Sequence, residues 1–176
     1  MTVHELPRNA LRLGGRAPTF PAMSAELLGE YFDKIRIGVE RLTEEQVWWR
    51  PAPGTNSAGN LMLHLCGNLS LWVLSGLGGQ AFQRDRAAEF AADRTHSRAE
   101  LIEKLRGVID RCREVVLKLG GGALEAPVEV QKYVTNSGGA LFHAVEHMSY
   151  HTGQILYIVK QLAGGGIEFY PQHRAE

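Results

Sequence analysis

The sequence predicts an all-α protein, a four-helix bundle with a short irregular or strand-like insertion before its last helix. Three observations point there. Four long segments carry apolar residues at three- and four-residue steps, the mark of amphipathic helices. One stretch, Pro51 to Gln83, contains no Asp, Glu, Lys or Arg, as a helix buried on all sides would require. A single short segment alternates in the manner of a strand, too little to build a sheet alone. The chain has 176 residues, enough for one domain with a sizeable core. Its organisation reads as a loose leader over 1–22, a bundle over 23–163 and a tail over 164–176.

The first helix runs from about Ser24 to Leu42, with Leu27, Leu28, Tyr31, Phe32, Ile35, Val39 and Leu42 on one stripe and Ser24 at the N-cap position. Thr43 with Gln46 fits a capping box and opens a short helical piece that Pro51 and Pro53 stop. After the loop PAPGTNSAG, Ser57 or Asn60 starts the charge-free helix, which ends in glycines from Gly76 to Gly79. Asn56, Asn60, His64, Asn68 and Gln80 make this stretch a bundle helix rather than a membrane span.

FQRDRAAEFAADRTH is a charged, partly helical connector. A third long helix follows from about Ser97 to Leu119, with Leu101, Leu105, Val108, Ile109, Cys112, Val115, Val116 and Leu119 as its stripe. Val128, Val130 and Tyr133 give the strand-like character of ALEAPVEVQKYVTNS. The last helix starts near Asn136 or Ser137.

Lys plus Arg and Asp plus Glu both number 19, so the net charge is zero and lacks the basic excess of a general nucleic-acid binder. No nucleic-acid or membrane partner is expected. The N-terminus lacks the apolar run of a secretory signal, and Cys66 and Cys112 sit inside apolar helical patterns without CxxC spacing. Both thiols read as buried hydrophobes in a reducing, cytoplasmic protein.

The chemistry concentrates in the histidines. With 100° per residue and His147 at zero, His151 falls at about +40°, His143 at about −40° and Gln154 at about −20°, among core residues, while Glu146 lies near −100°. Histidines at i and i+4 on one helix face can share an ion, and His64, in the middle of the charge-free helix, can bring a third imidazole from a facing helix. A divalent metal held this way keeps a position open for water. The bland alternative is a set of core histidines bonded to backbone. His143, Glu146 and His147 also spell the inverted zincin pattern H-x-x-E-H, but fewer than 30 residues follow His147 and Glu146 points off the histidine face, which leaves a metalloprotease unsupported.

Two segments, WWRPAPGTNSAGNLMLHLCGNLSLWVLSGLGG followed by RDRAAEF, and EHMSYHTGQILYI, resemble the DinB/YfiT-like superfamily of metalloenzymes, in particular a branch with N-S-x-G-N and Y-H-T-G-Q-I signatures. The resemblance covers about Met23 to Leu162. It implies a four-helix bundle, often dimeric, with His64, His147 and His151 as metal ligands and His143 in the second shell or pocket wall. It also implies a small-molecule substrate, Zn, Ni or Fe as the metal, and a thiol S-transferase, isomerase or hydrolase activity, with a low-molecular-weight thiol as possible cosubstrate. The alternative is a non-catalytic, stress-linked bundle with a structural metal or none. Asn60, Asn68 and Gln154 are weaker candidates for orienting an imidazole or binding substrate, against capping and interhelical roles. Arg84, Arg86 and Glu89 offer an anionic cosubstrate an edge, with a solvated, salt-bridged turn as the simpler reading. Trp48, Trp49 and Trp72 read as core or dimer-interface anchors.

Overall fold

A computed structural model of the chain describes residues 18–167 and 169. Most of the leader and most of the tail therefore lie outside the described residues. Helix α1 spans Phe20–Val39, earlier than the expected start. Thr19, not Ser24, is the N-cap, and its Oγ1 accepts from Ala22 N at 3.3 Å. Pro21 sits in the first turn, where its missing N–H has no intrahelical partner to lose. Leu28, Phe32, Ile35 and Val39 face the core.

The short helix α2, Glu44–Val47, carries the expected capping box between Thr43 and Gln46. It leads to Trp48, which is buried and donates its indole N–H to His96 O at 3.0 Å. Helix α3, Ala58–Leu69, opens on a second capping box between Ser57 and Asn60, and all twelve of its residues are buried. The absence of charge in this stretch is thus a consequence of burial on every side. The chain then continues through a π-helical turn, Ser70–Ser75, whose wider winding shows in the bonds Gly76 N to Leu71 O (3.0 Å) and Gly78 N to Val73 O (2.9 Å).

The connector contains α4, Arg86–Ala91, capped by Asp85. Helix α5, Arg98–Leu117, begins on the capping box of Ser97 and Glu100. It buries Leu101, Leu105, Val108, Ile109, Cys112 and Val116, each aliphatic side chain contributing about 2 kcal/mol from removed apolar surface. A 3₁₀ turn over Gly121–Glu125 precedes the insertion, which is a two-stranded antiparallel hairpin of β1, Pro127–Val130, and β2, Tyr133–Asn136, in the register Val130↔Tyr133. Helix α6, Ser137–Leu162, is capped by Asn136 through Gly139 N at 2.8 Å.

Helices α1, α3, α5 and α6 form the bundle. α1 packs on α5 and α6, α3 packs on the same two, and α1 and α3 lie across the diagonal. The small α4 lies on α3. The hairpin lies against the π-helical turn: a Cβ on Gly76 would come within 2.8 Å of Val130 Cγ2 and 2.6 Å of Trp72 O, so that position requires glycine. Among the described residues no helix is long and apolar enough to cross a membrane.

Candidate metal centre

His64 lies mid-α3, on the side turned to α6, and His143, His147 and His151 stack on successive turns of α6. One ring nitrogen from each of His64, His147 and His151 falls within 4.8 Å of the others, and His64 and His151 are buried. The rings pack at centroid distances of 4.4 Å (His147 to His151), 4.9 Å (His64 to His151) and 5.1 Å (His64 to His147).

The closest approach is His64 Nε2 to His147 Nε2, at 2.9 Å. Two imidazole lone pairs do not face each other at that distance unless a proton or a cation lies between them. Two nitrogens bound to one ion at about 2.0–2.1 Å and subtending about a right angle would be separated by about the same amount. A hydrogen bond between the two rings and a shared ion both account for this contact, and the three-histidine donor set is compatible with a divalent metal.

The far sides of two of these rings are tied. His64 Nδ1 stands 2.9 Å from Glu89 Oε2, and Glu89 is in turn held by Arg84, with Nε to Oε1 at 2.7 Å and Nη2 to Oε2 at 2.8 Å. Arg84 Nη2 is also 2.9 Å from His64 Nδ1 and 3.4 Å from His64 O. An ionised carboxylate can only accept, so the proton of the His64–Glu89 contact sits on Nδ1 and is donated to Oε2. Nε2 of His64 then points its remaining valence at the cluster. His151 Nδ1 lies 2.7 Å from Gln154 Oε1, an oxygen that can only accept, which places the proton on Nδ1 and again leaves Nε2 free. Such outer partners fix tautomer and ring orientation in histidine metal sites.

Burial pushes the imidazole of His147 down to about 3, helped by the neighbouring His151, His64 and His143 rings. Burial likewise lowers His151, partly opposed by the Gln154 bond, and lowers His143 against the pull of Glu146. These rings are neutral at neutral pH, the form in which imidazole binds a metal. For Glu89 burial works to raise the carboxyl, but the hydrogen bonds and charge of Arg84 and His64 outweigh it and hold it below its ordinary value of 4.5.

Burial corrects the reading of Arg84 and Glu89 as a solvated turn: their side chains are 8% and 9% exposed and form an inward ion pair against the histidines. A Cβ on Gly67 would fall on Glu89 Oε1 and come within 2.9 Å of Arg84 Nε, so α3 makes room for this pair by omitting a side chain. Arg86 is exposed, with its guanidinium over the Phe90 ring at 4.9 Å, and that ring in turn packs on His64 at 4.8 Å. Asn60 is a structural residue: besides its capping box, its Nδ2 donates to Glu89 O (3.0 Å), Phe90 O (3.3 Å) and Ala92 O (2.8 Å), fastening α4 to the start of α3. Asn68, one turn beyond His64, is buried with an Oδ1 that has no hydrogen-bond partner among the described residues. His143 stacks between Trp72, at 4.2 Å, and His147, at 5.3 Å, with Tyr133 beyond Trp72 at 5.9 Å. Trp49 is 37% exposed.

The bundle has a DinB-like fold, as comparisons with solved structures show. Solved structures with this fold include a conserved protein of Enterococcus faecalis, at TM-score 0.68 and 15% identity over 84% of this chain and 99% of that one. They also include a DinB-like protein of Bacillus cereus, at TM-score 0.62 and 18% identity over 81% and 96%, and a DinB-like protein of Bacillus subtilis, YjoA, at TM-score 0.65 and 16% identity over 84% and 96%. The chain belongs to the family described as "Protein of unknown function (DUF1572)", which matches residues 22–170. No curated protein sequence matches it.

Proposed function

We propose that this protein is a metal-dependent enzyme in which His64, His147 and His151 hold one divalent ion, of Zn, Ni or Fe type, and which activates a low-molecular-weight thiol or water for attack on a small electrophile. The observation that carries this reading is the convergence of the three imidazoles, with His64 and His151 each tied at Nδ1 so that Nε2 faces the others. When bound, the ion supplies Lewis acidity, which lowers the pKa of a thiol or water entering the site.

The chain's own residues do the rest. Glu89 and Gln154 hold protons at the Nδ1 atoms of His64 and His151 and keep both rings from rotating. Arg84 keeps Glu89 ionised inside the bundle. Trp72 packs on His143, and His143 on His147, along the α6 side of the site. Asn68 Oδ1, an acceptor without a partner among the described residues, can receive a donor from substrate. Three protein donors favour a catalytic over a structural centre, because structural sites close their coordination with a fourth.

Metal analysis of purified protein tests this. About one equivalent of metal is expected in the wild type, lost in His64→Ala and in His151→Ala, together with metal-dependent turnover of a thiol and electrophile pair. Protein that takes up no Zn, Ni or Fe, or both variants retaining it, overturns the metal reading; stoichiometric metal without turnover across such pairs leaves the non-catalytic alternative standing.

A further inference from the structure

Between α3, α4 and α5 lies an open cavity of ≈ 1050 Å³ whose lining includes none of His64, His143, His147 and His151. That is the upper end of the range for small-ligand pockets, roughly 300–1,000 Å³. Leu63, Phe82, Ala88, Ala92 and Val108 make its surface largely apolar, and Phe82, although 41% exposed, is turned to it. The Cys66 thiol on its floor is pushed up to about 12 by burial and serves as one more apolar group.

The charges around this cavity are not equivalent. Two of the acids on its wall are ion-paired, Glu89 with Arg84 and His64 and Glu103 with Arg106 at 3.2 Å, while Asp85 caps α4 through Ala88 N at 2.9 Å. Among the described residues two cations on the wall have no ion pair. Arg111 donates only to Gly107 O of its own helix, and Lys104 has no hydrogen bond or ion pair among the described residues. Lys104 and Arg111 stand seven residues apart on one face of α5, so both reach the same rim. Their fields are felt at Cys66 on the cavity floor. Between them Gly107 leaves the mouth open, since a Cβ there would meet nothing within 4 Å.

We infer that this cavity is a second ligand site, distinct from the histidine centre, which takes a small amphipathic anion: an apolar body lodged against Leu63, Phe82 and Val108, and one carboxylate at Lys104 and Arg111. An apolar surface alone would accept a neutral molecule equally well. Two cations without an ion pair, Lys104 and Arg111, against one such acid, Asp85, are what favour an anion. Glu89 borders both sites but has no free oxygen for the ligand, because Arg84 and His64 hold both of its atoms.

Calorimetric titration of the full chain with decanoate tests this, with decanol and decyltrimethylammonium as the neutral and cationic comparators. Decanoate is expected to bind best of the three. Lys104→Glu combined with Arg111→Glu, both exposed positions, is expected to weaken it by about tenfold or more, and Gly107→Trp to block it by filling the mouth. Binding unchanged in His151→Ala would set this site apart from the metal centre, whatever the metal analysis shows. The inference is overturned if decanoate does not bind, if the alcohol or the cation binds as well, or if the charge-reversed protein binds decanoate as the wild type does.

Discussion

Glu89 decides which nitrogen of His64 faces the cluster, and it does so from a helix of six residues. Replacing it with Gln keeps an acceptor for the Nδ1 proton but removes the charge that Arg84 neutralises. Glu89→Gln is expected to weaken metal binding by about tenfold and Glu89→Ala by up to about 100-fold, read as metal dissociation constants by competition with a chelator. Gly67 tests the same contact from the other side. Gly67→Ala drives a methyl onto the carboxylate, and the displaced ion pair is expected to lower unfolding free energy by about 1–3 kcal/mol in denaturant titration. The histidines were legible in the sequence because a regular helix converts spacing into direction: residues 143, 147 and 151 share a face wherever the helix packs. The sequence offered Glu89 as part of an edge for an anionic cosubstrate or of a solvated turn, not as a partner of His64. It reaches His64 because α4 folds back onto α3, and neither helix carries that information in its own periodicity. The available hint was physical: an imidazole in a charge-free helix needs a partner, and RDRAAEF holds the first carboxylates that follow it.

Helix α4 is too short to be stable on its own, since forming the first turn is costly and few bonds follow. Its C-terminal carbonyls are satisfied by Asn60, whose amide reaches Glu89, Phe90 and Ala92. Asn60→Ala removes those donors and half of the α3 capping box, and is expected to cost about 1–3 kcal/mol. Amide exchange should rise over residues 86–91 while α5 and α6 stay protected, which would separate a fastening role from general loss of fold. The other boundaries show what sequence logic captures at this scale. Thr43, Ser57, Ser97 and Asn136 cap the helices as their side chains suggest, because capping is local chemistry. The apolar stripe begins at Leu27 and so suggests a start at Ser24, whereas the helix begins earlier, on Thr19, with Pro21 in the first turn, where proline is tolerated. The π-helical turn at Ser70–Ser75 left no periodic signature, since one wide turn shifts phase only after itself. Its mark is the pair Gly76 and Gly78, where a Cβ would strike the carbonyls of Trp72 and Leu74 at 2.6 Å.

Across the whole molecule, a net charge of zero conceals an interior that holds its titratable groups away from their ordinary behaviour, and this sets the pH range of stability. His147 in the folded state takes a proton only at about 3, against 6.5 ordinarily, and His143 and His151 are lowered as well. Between those values the unfolded chain binds more protons than the folded one, so acid favours unfolding as pH falls from about 6.5 toward 3. Glu89 acts in the same direction below 4.5, where its carboxyl would be protonated in the unfolded chain but is still ionised in the fold. At the alkaline end the sign is opposite for Cys66 and Cys112, whose thiols are raised by burial from 9.0 to about 12. Unfolding releases those protons above pH 9, so stability falls again there. The metal-free protein is therefore expected to show a plateau in Tm between about pH 7 and 9, with a decline on each side in thermal melts at matched ionic strength. His147→Leu should flatten the fall between pH 6.5 and 4.5, because it removes the most strongly lowered of these imidazoles, and should leave the alkaline limb unchanged. Because bound metal stabilises the neutral imidazoles of the folded state, loading should raise Tm most near neutrality and lose its effect as acid displaces it. An acid limb identical in wild type and His147→Leu would mean that this buried histidine cluster does not govern stability at low pH.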